Sequence, residues 1–528
     1  MKIGKRSGLS IKIGNDDFRT DVSIPETPTL RLGKSSGWAQ WKHTDATRYL
    51  CAAAYLDARF RRAVLHRFIR QDYRSIPTSW GIDPVIVLIH CLAAHKVIKK
   101  RTLLLLIPLL LLVGAVALQV LGPYPSNLTF SIALLIFAVL CAAFIFGWER
   151  WMVQCKIVRQ KLSKQSFDPD FVDYDASPAI RSVLSEVQAA QSSNVIVHAG
   201  YFPFVGCGPI ISGWTFAVDI TKGKQDLGRP RSPQHFVVND LYDAVSSALG
   251  SLGLPNFGSD DRLCVHGQEI RNDSRFLTSV LARPCTKVET ALINSLAETP
   301  TNIVRHYKVF QLVDWSGELI LSVFVRFSKS ANNLFVEVSY CLLAPLDETY
   351  HAVDALQPAF TWKDWVALCA ASGTSALFFP FFLLNGIAIV SEVSRRDPVA
   401  AKQVHENELF NYGSWDSLRE SVSSSNYRRY FQRLDKEMYF KIIEKRLFDS
   451  IVSFLDARDI DTSDLKETRT TILNSGIMIS GAGSVSAGTL AVGGNATAVT
   501  QQGSPDSSKR GVRFPALFKA PAGANRES

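Results

Sequence analysis

The chain has 528 residues, with 58 Lys and Arg against 48 Asp and Glu, 47% apolar and 20% charged side chains, and nine cysteines. That length points to about two to four domains with apolar content for a sizeable core, and it excludes collagen-like, disulfide-rich and wholly disordered classes. Charge is unevenly placed: residues 1–101 carry 19 Lys and Arg against 8 acids, net +11, and the remainder is net −1.

In chain order, residues 1–37 read as a mobile basic arm. Their basic start is followed by no apolar stretch, unlike a signal peptide. Residues 38–101 read as a basic helical domain. Thr44 or Asp45 caps a helix running to about Gln71, and Asp83-Pro84 starts a second helix that leads into the first apolar run. Residues 102–148 contain TLLLLIPLLLLVGAVALQVL and LTFSIALLIFAVLCAAFIFGW, separated by GPYPSN. About 20 helical residues at 1.5 Å each match a hydrocarbon core of roughly 30 Å, so the pair reads as a two-helix transmembrane hairpin. Lys96, Lys99, Lys100 and Arg101 precede it and Arg150 follows it. By the positive-inside rule both flanks face the cytosol, with these five cations on an anionic lipid surface. The expected location is the bacterial cytoplasmic membrane, with the N-terminus and the main domain cytosolic.

Residues 167–359 read as a cytosolic α+β domain. A helix follows Pro178, strand signals lie at 194–198, 214–221, 263–266, 307–313, 319–327 and 334–342, and a helix is expected over 238–252. Pairing should be largely antiparallel, with the last three strands as a meander. A third apolar segment, 365–390, contains Pro380 and Asn385 and reads as re-entrant, interfacial or spanning. Residues 426–458 form an amphipathic helical region with Tyr430, Leu434, Met438, Ile442, Leu447, Ile451 and Leu455 as one stripe. Residues 476–499, GIMISGAGSVSAGTLAVGGNATAV, hold no charge and alternate small with aliphatic residues. This is the composition of stacked strands or of a flexible linker. Residues 503–528 read as a disordered end. The fold class is therefore a multi-domain membrane protein, a transmembrane α-hairpin with a cytosolic α+β domain and a C-terminal helical region.

The chemistry is mostly negative. The chain has no Walker A and no H-E-x-x-H, and its cysteines form no C-x-x-C, so neither metal nor cofactor is expected. The most unusual string is YFPFVGCGPIISGWTFAVDI at 201–220. Cys207, His198 and Asp219 could form a nucleophile, base and acid there if the thiol reaches the imidazole. Phe202, Phe204 and Trp214 are available to line a pocket, and plain loop packing is the alternative to both. The arginines between 48 and 74 adjoin the membrane anchor, which favours anionic lipid over nucleic acid as their partner. The spans contain no ionisable residue to mark a transport path.

RYLCAAAYLDARF at 48–60, the 201–220 string, FNYGSWDSLRES at 410–421, YRRYFQRLDKEMYFKIIEKR at 427–446 and TTILNSGIMISG at 470–481 resemble a group of uncharacterised actinobacterial membrane proteins. That resemblance implies no activity and no catalytic residue. The Gly-rich tail looks like C-terminal motifs of bacterial signalling proteins that assemble homotypically, which implies a homo-oligomer formed through 476–499. The expected function is a non-enzymatic sensor or scaffold whose tail mediates assembly or partner recruitment. A membrane-tethered enzyme with its site in 167–359 is the alternative, and a channel or exporter component is a third reading.

Overall fold

The structure, a computed structural model, describes residues 38–121, 125–226, 229–357, 359–394 and 398–467. The arm at 1–37, the β-prone tail at 476–499 and the end at 503–528 lie outside the described residues.

After a 3-10 turn at Trp38–His43, helix α1 (Asp45–Leu56) starts where the Thr44 hydroxyl accepts from the Thr47 N–H. The continuous helix expected up to Gln71 is divided. Asp57 leaves the helical conformation and its carboxylate accepts from the Arg59 N–H, capping α2 (Ala58–Leu65), and a π-helical turn, His66–Arg70, completes the run. Asp83 caps α3 (Pro84–Leu104) through the N–H groups of Val85 and Ile86, with Pro84 at the first helical position, where its missing N–H costs nothing. A break at Leu105 separates α3 from α4 (Leu106–Leu121). Pro108 explains it, because proline cannot donate to the Leu104 carbonyl and its ring crowds that carbonyl. Helix α5 (Pro125–Trp151) returns against α4. Two stretches, Pro84–Val120 and Leu128–Arg159, are long and apolar enough to cross a membrane. The first is apolar for two different solvents. Ile86, Val87, Leu88 and Cys91 are buried in a protein core with α1, whereas Leu110, Val116 and Val120 are exposed.

Helix α6 (Pro178–Gln191) closes that core and leads to the sheet. Its strands are β1 (Val195–His198), β2 (Ile210–Asp219), β5 (Phe257–His266), β6 (Val304–Asp314), β7 (Leu319–Lys329) and β8 (Asn333–Leu343), while β3 (Gln225–Asp226) and β4 (Arg229–Pro230) form a separate two-strand ribbon. The six-strand order is β1-β5-β6-β7-β8-β2, with β1 parallel to β5 and every other pair antiparallel, and β6, β7 and β8 forming the expected meander. Helix α7 (Val238–Gly250) and the long α13 (Tyr430–Asp456) cover one face. Helix α8 (Thr290–Glu298) packs near the β1 edge, and the loops at 72–82 and 199–209 press on the other face through Trp80, Phe204 and Cys207.

The α13 stripe is corrected in this arrangement. Leu447, Ile451 and Leu455 are buried against the sheet, but Tyr430, Leu434, Met438 and Ile442 are exposed. Four-residue steps keep a stripe nearly on one side of a helix. The five-residue step from Ile442 to Leu447 turns it by about 140° beyond a full turn, so the seven residues belong to two faces.

The third apolar segment forms α9 (Trp362–Leu377) and α10 (Phe379–Ser394), bent by 87° between them. Thr361 and Asp364 make a capping box at the start of α9, and Pro380 follows the bend. Gly386 of α10 approaches Thr102 so closely that a side chain there would collide with it. Val353, before the segment, shares one core with Leu418 and Val422, after it. The chain before and after the bent pair thus meets in one core, and the 87° bend is that of a broken span or a re-entrant loop. The short helices α11 (Pro398–Glu406) and α12 (Leu418–Ser421) carry the chain back along the β1 edge, where Val404 and Tyr412 pack with Val195 and Val265.

Candidate functional site: a glycine loop closed on Glu420

The loop between β1 and β2 is built on two glycines. Gly206 and Gly208 have φ of +96° and +81°, values that disfavour any residue with a Cβ. A Cβ on Gly206 would stand 2.6 Å from the Thr78 carbonyl, and one on Gly208 would collide with the Leu342 carbonyl. This conformation turns two N–H groups inward onto one buried carboxylate. Gly206 N donates to Glu420 Oε2 at 2.9 Å and Gly208 N to Oε1 at 3.0 Å. Ser417 N donates to Oε2 at 3.1 Å, and the Glu420 N–H returns a bond to the Ser417 hydroxyl, so Glu420 is also the reciprocal half of the capping box of α12. Burial pushes the Glu420 carboxyl above its ordinary range, against the three N–H groups that favour its charge. The backbone forms an anion nest of the kind that binds ligands elsewhere, here filled by the protein's own side chain. Gly208→Ala should therefore abolish the folded loop, costing about 3 kcal/mol or more from strain and collision together. A thermal melt of purified protein checks this, and a transition unchanged from the parent would contradict it.

The six residues singled out in the sequence do not form one site. Cys207 is buried, and its Sγ accepts from Gln311 Nε2 at 3.8 Å. Burial pushes its thiol up to about 12, which leaves almost no thiolate to attack a substrate at neutral pH. His198 ends β1 with Nδ1 2.8 Å from the Gly200 carbonyl and its ring 5.1 Å from that of His266, and burial lowers its pKa. Asp219 ends β2, the opposite edge strand, where it is half-buried and accepts from the Thr221 hydroxyl at 2.6 Å and N–H at 2.9 Å. Those two bonds hold its carboxyl below the usual range. Five strand spacings of about 4.8 Å separate the two edges, so Asp219 cannot serve His198.

The aromatic trio also divides. Phe204 is buried, stacked on Phe324 at 4.0 Å and edge-on to Tyr307 at 5.2 Å, beneath one face of the sheet. Trp214 lies on the other face, stacked on Phe216 at 5.3 Å and touching Phe448 of α13. Phe202 is partly exposed beside Tyr201, and the Trp415 ring lies over Gly200. Behind the loop a small cavity is walled by Thr78, Trp80, Cys207, Arg262 and Gln311. The buried Arg262 fills its polar side, bonding the Thr78 hydroxyl at 3.3 Å and the Ser193 carbonyl and lying 5.1 Å from the Trp80 ring. The loop is thus closed by packing.

Of the five flanking cations, Lys96, Lys99 and Lys100 are exposed. Arg101 instead pairs with both oxygens of Glu149 at 3.1 and 3.0 Å, and Arg150 donates to Ser372 and Ser375, so these two tie α3 to α5 and α5 to α9.

A second buried polar group takes in Arg48, which the sequence reading set with the arginines facing anionic lipid but which is buried in the fold. Arg48 pairs with Asp354 at 2.8 Å, Tyr49 donates to Asp354 at 2.6 Å, and the Tyr49 ring lies 4.4 Å from that of His351. His351 bonds Glu318, which also accepts from Gln432 of α13 at 3.0 Å. Burial opposes the Glu318 charge, but His351, Gln432 and Arg419 together outweigh it and hold the carboxyl below its ordinary value. The fully buried Arg419 donates to the carbonyls of Gly317, Glu318 and Ala344. This chain joins α1, on the side of the apolar helices, to the start of α13. Only the S-x-x-E pattern of Ser417 and Glu420 is a local signal that could have drawn attention to any of these residues.

A family model, the AbeC-like domain, matches residues 213–487, just over half of the chain. The chain belongs to the AbeC-like domain family. No curated protein and no solved structure matches it. The AbeC-like domain begins inside β2 and takes in the rest of the sheet except β1, the bent α9–α10 segment, Glu420 and α13. The glycine loop and the helices before it precede the matched region, so the Glu420 nest joins the AbeC-like domain to the N-terminal part of the chain.

Proposed function

We propose that the chain is a non-enzymatic scaffold or sensor of the bacterial cytoplasmic membrane, anchored by the hairpin at 102–148, with its globular part cytosolic and its tail at 476–499 joining copies or recruiting a partner. The observation that carries this reading is the helical stretch Pro84–Val120. Its first half is buried in the core that also holds α1, α6 and Leu418, and its second half is an exposed apolar rod. A displacement in the globular core therefore moves the base of the rod. The Arg48–Asp354–Tyr49–His351–Glu318–Gln432 chain supplies a polar link from that core to α13. Exposed Lys96, Lys99 and Lys100 near the rod base suit an anionic lipid surface at roughly 1 kcal/mol each. The bent α9–α10 segment adds exposed Trp362, Trp365, Phe378 and Phe381, residue types favoured at a bilayer interface.

The tail's part in this reading rests on its charge-free alternating composition. Deleting 476–499 should reduce the particle to a smaller, discrete mass in detergent, measured by size exclusion with light scattering, while leaving the protein in the membrane fraction after an alkaline wash. An unchanged mass would remove the tail's role in assembly. Release into the wash would remove the anchor.

A further inference from the structure

Helix α9 follows the hairpin. Along the helical stretch Leu128–Arg159 its partners fall in number as its own residues rise: Asp364 accepts from Arg159 at 2.9 Å, Ser372 and Ser375 from Arg150 at 3.1 and 2.7 Å, and Ala376 shares one core with Ala142 and Phe146. The steps on the two helices are nearly equal, so α9 runs antiparallel beside that stretch and along the axis of the hairpin. The 87° bend then turns α10 across the same axis. It crosses at the base of the hairpin, where Leu383 packs with Leu105 and Phe146, the Phe382 ring lies 5.6 Å from that of Phe146, and Gly386 meets Thr102.

That level is where the surface of the chain changes from charged to apolar. On one side of Thr102, Lys99 and Lys100 are exposed and Arg101 pairs with Glu149. On the other, Leu103, Leu104 and Ile107 are exposed. Helix α10 itself has two faces. Phe379, Leu383 and Gly386 are buried, whereas Phe381, Leu384 and Ile387 are exposed on the opposite side, with exposed Asn385 at its margin. Residues 379–391 hold no charge. As a helix they span about 20 Å, short of the roughly 30 Å of a hydrocarbon core. A broken span would have to enlist α9 for the rest, but α9 is tied through Asp364, Ser372 and Ser375 to arginines on the charged side of that level.

We infer that α10 lies flat in the bilayer surface on the side of the globular body, with its Phe381, Leu384 and Ile387 face sunk at the boundary between headgroups and acyl chains, and does not cross. This inference rests on the reading of the hairpin as a membrane anchor. A bilayer is the occupant of that face because α10 meets α3 at Thr102, next to the exposed apolar residues that the anchor reading places in lipid, and beside Lys99 and Lys100, which suit anionic headgroups. A helix seated in the leaflet and packed on the hairpin base sets the tilt of the AbeC-like sheet over the membrane. It also keeps α11, α12 and α13 on the side from which α9 came.

Depth-dependent quenching tests this on the full chain in nanodiscs of equal parts phosphatidylcholine and phosphatidylglycerol. An environment-sensitive fluorescent amino acid replaces one exposed residue at a time, Leu384 or Ile387 on α10 and Val113 on α4, and the lipids carry a nitroxide either near the headgroup or at the end of the acyl chain. Expected at 384 and 387 is quenching at least about twofold stronger from the shallow nitroxide, and at 113 the reverse order. Equal or stronger quenching from the deep nitroxide at 384 or 387 would make α10 part of a broken span and overturn the inference. So would quenching by neither label there, which would assign the face to protein, a second copy included. Both results leave the anchor standing as long as 113 responds to the deep label. No quenching at 113 would overturn the proposed anchor, and this inference with it.

Discussion

Replacing Glu420 by alanine is expected to destabilise the protein by about 3 kcal/mol, since hydrogen bonds to a charged, buried acceptor contribute about 1.5–3 kcal/mol each and the loss is offset by relieving a costly burial. Three donors, the N–H groups of Gly206, Gly208 and Ser417, would be left facing a void. Water entering that space would recover part of the loss, which keeps the figure below the sum of three bonds. Glu420→Gln keeps one carbonyl oxygen and loses the charge, so about half of the effect is expected. Both values come from thermal or denaturant unfolding followed by tryptophan fluorescence. Limited proteolysis should show new cleavage within 199–209 in the alanine variant. An alanine variant with parental stability would show that the glycine loop holds its shape without the carboxylate.

Glu444→Gln is expected to stabilise the protein at alkaline pH, by up to about 3 kcal/mol, and to have almost no effect near pH 4.5. Glu444 lies on the buried side of α13 with only 4% of its surface exposed, next to the apolar residues Ile443, Leu447 and Phe448. Burial raises its carboxyl to about 7 from 4.5, with Trp214 and Lys441 pulling the other way. The sign follows from the order of proton release. Below about 4.5 both folded and unfolded chains hold the proton, so the stability that the neutral form confers is fully present. Between 4.5 and 7 the unfolded chain releases the proton first and that contribution drains away. Above 7 the folded core carries the charge and the loss is complete. Parent and variant melts at pH 4 and pH 8 should therefore separate only at the higher value. A gap of equal size at both would mean that Glu444 is not the titrating group.

What was legible beforehand follows the range of the interactions involved. The caps at Thr44 and Asp83 and the helix after Pro178 depend on residues a few positions apart, so their spacing reveals them. The strands were found by β-branched and aromatic runs, although β2 and β5 extend further toward their N-termini than those runs, through Ser212, Gly213 and Gly258, where partner strands supply the order. The α13 stripe reads as one face only if near-helical spacing is carried across the five-residue step from Ile442 to Leu447, which the helix does not allow. Phe204 and Trp214 were grouped for nearness in sequence. One sits in the loop pressed on one face of the sheet, and the other is a β2 residue directed to the opposite face.

The candidate site was the least legible part. Gly206, Cys207 and Gly208 announce a special backbone, but not what it surrounds. Glu420 stands 214 positions from Gly206, and only the fold brings them together. The spacing of the nine cysteines likewise does not show which thiols are buried. Cys207 is buried beneath Phe204 and its neighbours, and burial disfavours its thiolate.

By itself the amino-acid sequence determined two long apolar helices, a basic region ahead of them and a mixed helix-and-strand body after them, because length, charge and periodicity are local properties that any solvent reads directly. The tertiary structure decided which carboxylate fills the glycine nest, that the apolar segment at 365–390 returns to the body it left, and that α13 buries one face while showing another. Those outcomes depend on pairings between residues tens to hundreds of positions apart, whose contact energies exist only once the chain has closed on itself.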